Sequence, residues 1–471
     1  MSASYAEVMA RRAEILERST GFDYARFRRG KVAFDYEGMM AATGYSLEEV
    51  REIQRRAHVG GTPLFELENL TQLVRRFAPA GRGARIFLKD EAANPSGSFK
   101  DRRASLSVHE AARSGYRGVA AATSGNYGAA VASQAARCNL DCIILQETFD
   151  SRGVGQPEIV EKGRKCEALG AEVIRLTVGP ELFYYLLVVL EDTGHFNASL
   201  YTPFSVAGIE TLGAEIAEEV IERTGGAPDA VVVTHAGGGN LTGTARGLRK
   251  AGCTGTRVIG ASIDISGLHM ASDTDFNRKA CTTGHTGFGV PFATWPDRSD
   301  VPFNAARALR YMDRYVSVTQ GEVFYVTEAL ACLEGMERGP AGNTSLAAAM
   351  AIAGEMEEDQ VVVVQETEYT GAGKHHGAQL DFARRNGIEV RLGDPAEEEP
   401  GRSIVLPERF EQLRVKDLNL DDLRRSYVRN VIARHGPSLA EEDLDFVAAD
   451  SGADRHFVER VLADIKSGGA P

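Results

Sequence analysis

The chain has 471 residues and a formal net charge of -13, with 43% apolar and 25% charged residues. This length is enough for roughly two or three domains, and the composition is ordinary for a globular enzyme. The acidic balance argues against nucleic acid as the main partner, although a local positive pocket for a small anion stays compatible with it.

The six cysteines are scattered and form no CxxC pair. Without a His/Cys cluster of metal-site spacing, and with His375 and His376 adjacent to each other, we predict no bound metal. The N-terminal stretch has no sustained apolar run, and no window approaches the about 18–20 apolar residues of a membrane span. We therefore expect a cytoplasmic, reduced protein that does not contact a membrane.

The N-terminal segment, residues 1–57, is charged and predicted to be helical. Within it, Ser46 and Glu49 have the spacing of a capping box, in which each side chain accepts a hydrogen bond from the backbone N–H of the other residue. A short strand predicted over 85–89 then leads into a Pro/Ser/Gly loop that ends at Lys100.

From there on, predicted strands and helices alternate. Apolar strands with helical crossovers are typical of parallel sheets covered on both faces, so we predict an α/β fold with two parallel-sheet αβα units. The first unit holds the strands 119–123, 142–146 and 172–177, with helices ending at 138, at 169 and at 192. The second holds the strands 230–234, 257–263 and 361–365, with helices over 241–251, 323–338 and 345–357.

We predict that residues 58–104 and 196–393 form a large domain and that residues 105–195 form a small mobile domain. The acidic, Pro/Gly-rich stretch 394–404 has the composition of a linker. Residues 405–471 are predicted to be a helical C-terminal extension, which either packs back on the enzyme or docks a partner. Glycine loops just after strand ends in both units place a ligand between them.

Lys100 directly follows the Pro/Ser/Gly loop and opens a helical run over 101–112. A cation at a helix N-terminus is slightly unfavourable, so an ordinary surface lysine explains this placement poorly. A buried lysine tends to lose its proton, and the neutral amine is a nucleophile toward aldehydes. The position therefore favours a covalent role for Lys100.

A glycine-rich loop follows the predicted strand 230–234 and opens the next helix. Glycines let backbone N–H groups approach a phosphate, and the helix dipole favours the anion. The spacing is neither that of a Rossmann fingerprint nor that of a P-loop, although Asp264 lies where a ribose-binding acid would be expected in a dinucleotide site. The residues of this candidate phosphate loop are Gly237, Gly238, Gly239, Asn240, Leu241 and Thr242.

A second loop, Ser124-Gly125-Asn126-Tyr127, follows the predicted strand 119–123. Ser-Gly-Asn alone is an ordinary turn and capping signal. Its position after a strand end and shortly after Lys100 favours a role in ligand binding.

In this order, the stretch Ser98-Phe99-Lys100-Asp101-Arg102 and the two loops resemble the fold-type II pyridoxal 5'-phosphate (PLP) enzymes, the family of threonine synthase and the tryptophan synthase β subunit. The resemblance implies that Lys100 is the catalytic residue and binds the PLP aldehyde, while the glycine loop holds the phosphate. It implies that Asn126 contacts the phenolic oxygen, and that Ser124, Gly125, Asn126 and Tyr127 bind the substrate. Thr367, after the strand 361–365, is the implied neutral partner of the pyridine nitrogen, with Glu366 and Glu368 as competitors.

Further blocks at 4–12, 90–100, 153–160, 177–184 and 236–248 are similar to the family of 2-amino-4-oxopentanoate thiolase β subunits. This resemblance implies cleavage of 2-amino-4-oxopentanoate by coenzyme A (CoA) into alanine and acetyl-CoA, or the reverse condensation. It also implies a small α subunit as partner, and fold-type II enzymes are often homodimers. The residue that activates the CoA thiol is not identified by the sequence.

Cys138 and Cys166 are candidate covalent acyl carriers, with packed helix thiols as the simpler interpretation because no basic partner is visible nearby. Two other functions stay open at this stage. One is a threonine synthase-like or cysteate synthase-like β/γ-replacement lyase. The other is a non-catalytic ligand-binding subunit on the same fold.

Overall fold

The structure is a computed structural model of the chain, which describes residues 4–179, 181–265, 273–282, 300–369 and 376–467. Its strands are β1 Leu64–Glu66, β2 Arg85–Asp90, β3 Gly118–Thr123, β4 Asp141–Phe149, β5 Glu172–Thr177, β6 Phe196–Asn197, β7 Ala230–Thr234, β8 Arg257–Ile263, β9 Arg314–Val318, β10 Val361–Glu366, β11 Glu389–Gly393, β12 Ser403–Pro407 and β13 Lys416–Asp417. Its helices are α1 Tyr5–Ala10, α2 Arg12–Thr20, α3 Tyr36–Ala41, α4 Leu47–Arg56, α5 Glu68–Phe77, α6 Lys100–Arg113, α7 Asn126–Cys138, α8 Pro157–Ala168, α9 Glu181–Thr193, α10 Pro203–Thr224, α11 Gly239–Lys250, α12 Phe276–Lys279, α13 Gln320–Glu334, α14 Thr344–Ala353, α15 His376–Arg385, α16 Leu420–His435, α17 Glu441–Ser451 and α18 Arg455–Lys466.

Two parallel sheets form the centre of the molecule, which confirms the predicted α/β class. The larger has seven strands in the order β1-β2-β10-β7-β8-β9-β13, in which only the edge strands β1 and β13 run antiparallel to their neighbours. The smaller has the order β5-β4-β3-β6 and is parallel throughout. β10 is buried at every position, as expected for a parallel strand that is covered on both faces.

The boundary between the two sheets differs slightly from the prediction. β6 at residues 196–197 pairs with β3 in the smaller sheet, whereas the predicted division places these residues in the large domain. All strands of the smaller sheet thus lie within residues 118–197, and the division of the chain into two domains stays a prediction.

The prediction of a linker over 394–404 was wrong. β11 ends just before this stretch, β12 begins inside it at Ser403, and the two strands pair in parallel. The half-buried Glu398 accepts hydrogen bonds on its carboxylate from the backbone N–H groups of Gln320 and Gly321, at 2.8 Å each, and of Val405 at 3.1 Å. Composition cannot reveal such an anchor, because the acceptor is one glutamate among several in an acidic run.

The C-terminal extension is also not entirely helical, because β12 and β13 precede its helices and β13 pairs with β9 of the larger sheet. The three helices α16, α17 and α18 pack back on the enzyme. Their valines Val428, Val447 and Val458 are fully buried. The Phe446 ring lies 4.9 Å from the Phe34 ring of the N-terminal segment.

Glycines allow α10 and α11 to approach each other closely. A Cβ atom on Gly247 of α11 would lie 2.0 Å from the carbonyl oxygen of Glu210, and one on Gly213 of α10 would lie 2.1 Å from that of Thr244. Any side chain there would collide with backbone, so the contact fixes the position of α11 and of the glycine loop at its N-terminus. No helix in the part of the chain that the structure describes is both long and apolar enough to cross a membrane.

Candidate active site

One cavity brings together the loops that follow the carboxyl ends of β3, β7 and β10 and the first turn of α6. In parallel sheets, ligands bind at these strand ends. Most of the predicted site residues line this cavity: Lys100, Ser124, Asn126, Tyr127, Gly237, Gly238, Gly239, Asn240 and Thr367. Gly125, Leu241 and Thr242 are not among its described lining residues.

Lys100 is the first residue of α6 and reaches the cavity. The loop before it is held by the segment that follows β10, because the N–H of Phe99 donates to the Thr367 carbonyl at 3.1 Å and that of Tyr369 donates to Gly97 at 2.7 Å. Burial is the main cause that lowers the pKa of Lys100 well below its ordinary value, and the positive charges of Arg103 and Lys162 lower it further. A larger fraction of its amine is therefore neutral near pH 7 than for a surface lysine.

The two residues after Lys100 anchor this first helical turn. The buried Asp101 carboxylate accepts from the backbone N–H of Ser96 at 2.7 Å. The fully buried Arg102 forms ion pairs with Glu91 and Glu215, at 2.7 Å each. The Asp-Arg pair beside the lysine thus fixes the position of its backbone.

The Ser124-Gly125-Asn126-Tyr127 loop connects β3 to α7. Thr123 Oγ1 accepts hydrogen bonds from the N–H groups of Gly125 at 2.9 Å and Gly128 at 3.1 Å, which hold the turn. The Asn126 amide donates to Glu368 Oε2 at a long 3.5 Å. Gly125 itself is covered by Lys162, whose Cδ atom would lie 2.5 Å from a Cβ added at that glycine.

The glycine loop ends at the N-terminus of α11, and Gly238 has a left-handed backbone with φ of 85°. Asn240 is only 6% exposed, and neither its side-chain oxygen nor its nitrogen has a hydrogen-bond partner among the described residues. Buried polar atoms without partners are rare in folded proteins, so this amide fits a phosphate placed at the helix N-terminus.

Two residues of the predicted phosphate loop do not fit this role. Thr242 has both donors engaged within the helix, because its N–H and its hydroxyl donate to the Gly238 carbonyl at 3.0 and 2.8 Å. The Leu241 side chain is fully buried in the core. We therefore leave Thr242 out of the phosphate site and assign Leu241 no side-chain role there.

Thr367 lines the cavity at the end of β10, in the place expected for the partner of the pyridine nitrogen. Its neighbour Glu366 is fully buried. Burial is the main cause that raises the pKa of Glu366 well above its ordinary value, and the negative charges of Glu368 and Asp90 raise it further. Glu368 lines the cavity as well. This part of the cavity thus offers the Thr367 hydroxyl and the Glu368 carboxylate to a bound ring.

Sequence reasoning missed several charged residues that line the cavity, in particular Arg103, Glu147, Lys162 and Asp300. One signal was available for Arg103, because it follows Lys100 by three positions and so lies on the same face of a helix. The other three come from segments distant in sequence, and only the tertiary structure brings them to Lys100.

The two candidate acyl-carrier cysteines do not line the described cavity. Burial raises the pKa of Cys166 to about 12, whereas Cys138 is exposed. His375 and the side chain of His376 lie outside the described residues. Among the residues described, no cluster of His, Cys, Asp and Glu is suited to hold a metal ion.

These residues fit PLP. The cavity offers an amine for the aldehyde at Lys100, a glycine loop with an unpartnered amide for the phosphate, an amide at Asn126 for the phenolic oxygen and a hydroxyl at Thr367 for the ring nitrogen. They are the four contacts that this cofactor needs from a protein.

Comparison with known proteins identifies the family of the chain. The profile of the family described as "Pyridoxal-phosphate dependent enzyme" matches residues 55–367. A 2-amino-4-ketopentanoate thiolase beta subunit from an unknown prokaryotic organism is 65% identical over 463 residues, which cover 98% of each chain. The protein of the same name from Acetoanaerobium sticklandii is 60% identical over 464 residues, covering 98% of this chain and 99% of its own.

A solved structure described as a threonine deaminase from "T.th." has the same fold, with a TM-score of 0.52 and 23% identity over 69% of this chain and 98% of that one. The relatives that match over nearly the whole length confirm the resemblance found in the sequence. The chain belongs to the pyridoxal-phosphate-dependent enzymes and, within them, to the family of 2-amino-4-ketopentanoate thiolase beta subunits.

Proposed function

We propose that the chain is the catalytic subunit of a thiolase that cleaves 2-amino-4-oxopentanoate with CoA into alanine and acetyl-CoA, or joins the two in reverse. The observation that carries the proposal is identity of 65% and 60%, over nearly the full chain, to two proteins named for the thiolase of this amino acid (2-amino-4-ketopentanoate is the same compound). The cavity around Lys100 supports it, because it offers what an amino-acid substrate and PLP both require.

When bound, PLP withdraws electrons from the substrate and so stabilises negative charge next to its amine-bearing carbon. Lys100 has the central role among the protein's own residues. Its lowered pKa suits an amine that first holds the cofactor and then accepts the α-proton on Nζ. Ser124, Asn126 and Tyr127 lie along the same cavity wall and are our proposed contacts for the substrate carboxylate.

In the cleavage, the sulfur of CoA forms a bond to the C4 carbonyl carbon, and the C3–C4 bond breaks toward C3. C3 then takes up a proton and becomes the methyl group of alanine, so atoms and charge balance without a further reactant.

The partners follow from the same proposal. The relatives' name of beta subunit supports a complex with an α subunit, which we expect to be small. CoA as cosubstrate, a homodimeric β subunit and a cytoplasmic location complete the proposed function. We expect the outer face of the C-terminal helices to be available to the α subunit, because their inner faces are used in the core.

The test is an assay of the purified chain with PLP, 2-amino-4-oxopentanoate and CoA, with and without its co-expressed candidate α subunit. We expect alanine and acetyl-CoA in equal amounts, and we expect Lys100→Ala to abolish both the products and the visible cofactor band. Arg76→Ala, at an exposed position on α5 and outside the cavity lining, is the control and should behave like the parent chain.

A yellow protein that forms no acetyl-CoA in the presence of the partner would contradict the thiolase. Release of phosphate from O-phosphohomoserine by that protein would support a replacement lyase instead. A Lys100→Ala variant that keeps a borohydride-reducible cofactor would contradict the assignment of Lys100.

A further inference from the structure

Arg103 is a buried cation beside the cofactor cavity. Its side chain is 2% exposed and lines the cavity together with Lys100, one helical turn earlier on α6. Residues three positions apart lie on the same face of a helix, so the backbone of α6 aims both side chains into one space.

The hydrogen bonds of Arg103 leave its charge unbalanced. Nε donates to Ser205 Oγ at 2.9 Å, and Nη2 donates to the carbonyl oxygen of Leu200. Both acceptors are neutral, and no carboxylate among the described residues forms an ion pair with Arg103. The adjacent Arg102, also buried, has two carboxylate partners.

A buried guanidinium without a counter-charge is costly, and it stays protonated because its intrinsic pKa is far above neutrality. Such a group persists where a ligand supplies the negative charge. The position of Arg103 therefore indicates an anion in this part of the cavity.

Three donors converge at this place. Nη2 of Arg103 would lie only 2.2 Å from a Cβ atom on Gly239, so the guanidinium lies directly over the first residue of α11. Asn240, the next residue, has a buried side-chain amide with no described partner. The N-terminus of this 12-residue helix adds its free N–H groups and its dipole.

We propose that Arg103 and Asn240 clamp the phosphate of PLP between them, so that a charged side-chain contact supplements the backbone amides of the glycine loop. An arginine can bind two phosphate oxygens at once, which is stronger than a neutral hydrogen bond. The clamp makes the site selective for the phosphorylated cofactor over free pyridoxal. This inference rests on PLP binding and not on the thiolase reaction.

The test compares the affinities of the apo chain for PLP and for pyridoxal, which has the same aldehyde and ring but no phosphate. Binding is read from the absorbance band of the Lys100-bound cofactor, without any turnover. We expect Arg103→Met to weaken PLP by about 10- to 100-fold and to change pyridoxal by less than about threefold. Arg103→Lys should restore part of the loss, because it keeps the charge but not the bidentate geometry.

Inorganic phosphate provides a second readout. It should compete with PLP in the parent chain and compete less well in Arg103→Met. Arg113→Met is the matched control on the same helix, because Arg113 is exposed and pairs with Glu110. It should leave both affinities unchanged.

Asn240→Asp keeps the test decisive if Arg103→Met does not fold. A carboxylate in that position would repel the phosphate, so PLP binding should fall at least as far as in Arg103→Met while pyridoxal binding stays. If the affinities for PLP and for pyridoxal fell equally in these variants, the proposal would be overturned. The two residues would then act by supporting the fold or by positioning Lys100, and not by binding the phosphate. Unchanged PLP affinity would overturn it as well. A chain that discriminates PLP from pyridoxal through Arg103 but forms no acetyl-CoA would contradict only the thiolase.

Discussion

Thr367 and its neighbours Glu366 and Glu368 are the residues that we propose as alternative partners of the cofactor ring nitrogen. A hydroxyl leaves that nitrogen unprotonated, whereas an ionised carboxylate would hold a proton on it. Burial and the nearby negative charges raise the pKa of Glu366, which disfavours the ionised carboxylate that a protonated ring would need as its partner. We therefore keep Thr367, which lines the cavity, as the proposed partner, in agreement with its position after the strand in the sequence.

We expect Thr367→Val, which keeps the shape and removes the hydroxyl, to lower thiolysis by about tenfold or more, the cost of one hydrogen bond at the reacting group. Thr367→Ser should keep most of the activity, and thermal melting should show that both variants are folded. Full activity in Thr367→Val would transfer the role to Glu368, which also lines the cavity.

Cys166 is one of the two candidates for a cysteine that carries the acyl group covalently during the reaction. With its pKa raised to about 12 by burial, the thiol is deprotonated only above that pH, so at pH 8 about one molecule in ten thousand carries a thiolate. We expect the double variant Cys138→Ala/Cys166→Ala to retain thiolysis within about twofold. A loss of more than about tenfold, with an acetylated cysteine detected by mass spectrometry in the parent chain, would establish a covalent carrier.

At the level of elements, the position of α11 depends on its close contact with α10. An added methyl group at Gly247 would collide with the Glu210 carbonyl, and such overpacking costs about 1–3 kcal/mol. Gly247→Ala should therefore lower the free energy of unfolding by that amount and weaken PLP binding, since the helix carries the glycine loop. Gly226→Ala, where no atom lies within 4 Å of the added Cβ, is the control for denaturant melts of both variants.

Helices and strands were predicted correctly where the sequence pattern that forms them is local. The strand over 172–177 and the strand over 257–263 coincide with β5 and β8, and the Ser46–Glu49 capping box is present at the start of α4. β13 was missed because two residues give no periodicity, and β12 was hidden by the acidic composition that precedes it. β12 forms by pairing with β11, and β13 by pairing with the distant β9; the sequence displays neither pairing.

At the level of the whole molecule, a buried carboxylate adds a polar link to the apolar packing that holds the C-terminal helices. Asp450 Oδ2 accepts from Tyr427 Oη at 2.6 Å and from Arg307 Nη1 at 3.3 Å. Removing one partner of a buried ion pair typically costs about 3–5 kcal/mol. We expect Asp450→Ala to lower the free energy of unfolding by that amount even without a partner subunit, whereas Asp464→Ala, at an exposed position on α18, should have no effect in the same melts.

A large loss in Asp450→Ala that is recovered fully by the α subunit would contradict this view and make the extension primarily a docking element. The sequence left the two roles of the extension open, because apolar residues at helical spacing look alike whether they face a core or a partner. The candidate site was easier to predict from the sequence than the role of the extension, because its functional residues lie in short contiguous loops. The remaining charged lining residues became visible only when folding brought the two sheets together.

Four consecutive residues at the start of α6 make four different contacts. Lys100 reaches the cavity, Asp101 binds the preceding loop, Arg102 pairs with two carboxylates and Arg103 lies against the glycine loop. Each step along a helix rotates the side chain by about 100°. Inserting or deleting a single residue within this turn would rotate the residues after it by about 100° relative to those before it, so the four contacts could not all be kept. Over evolutionary time this turn can therefore change by substitution but not in length, and homologous chains are most safely aligned from it outward.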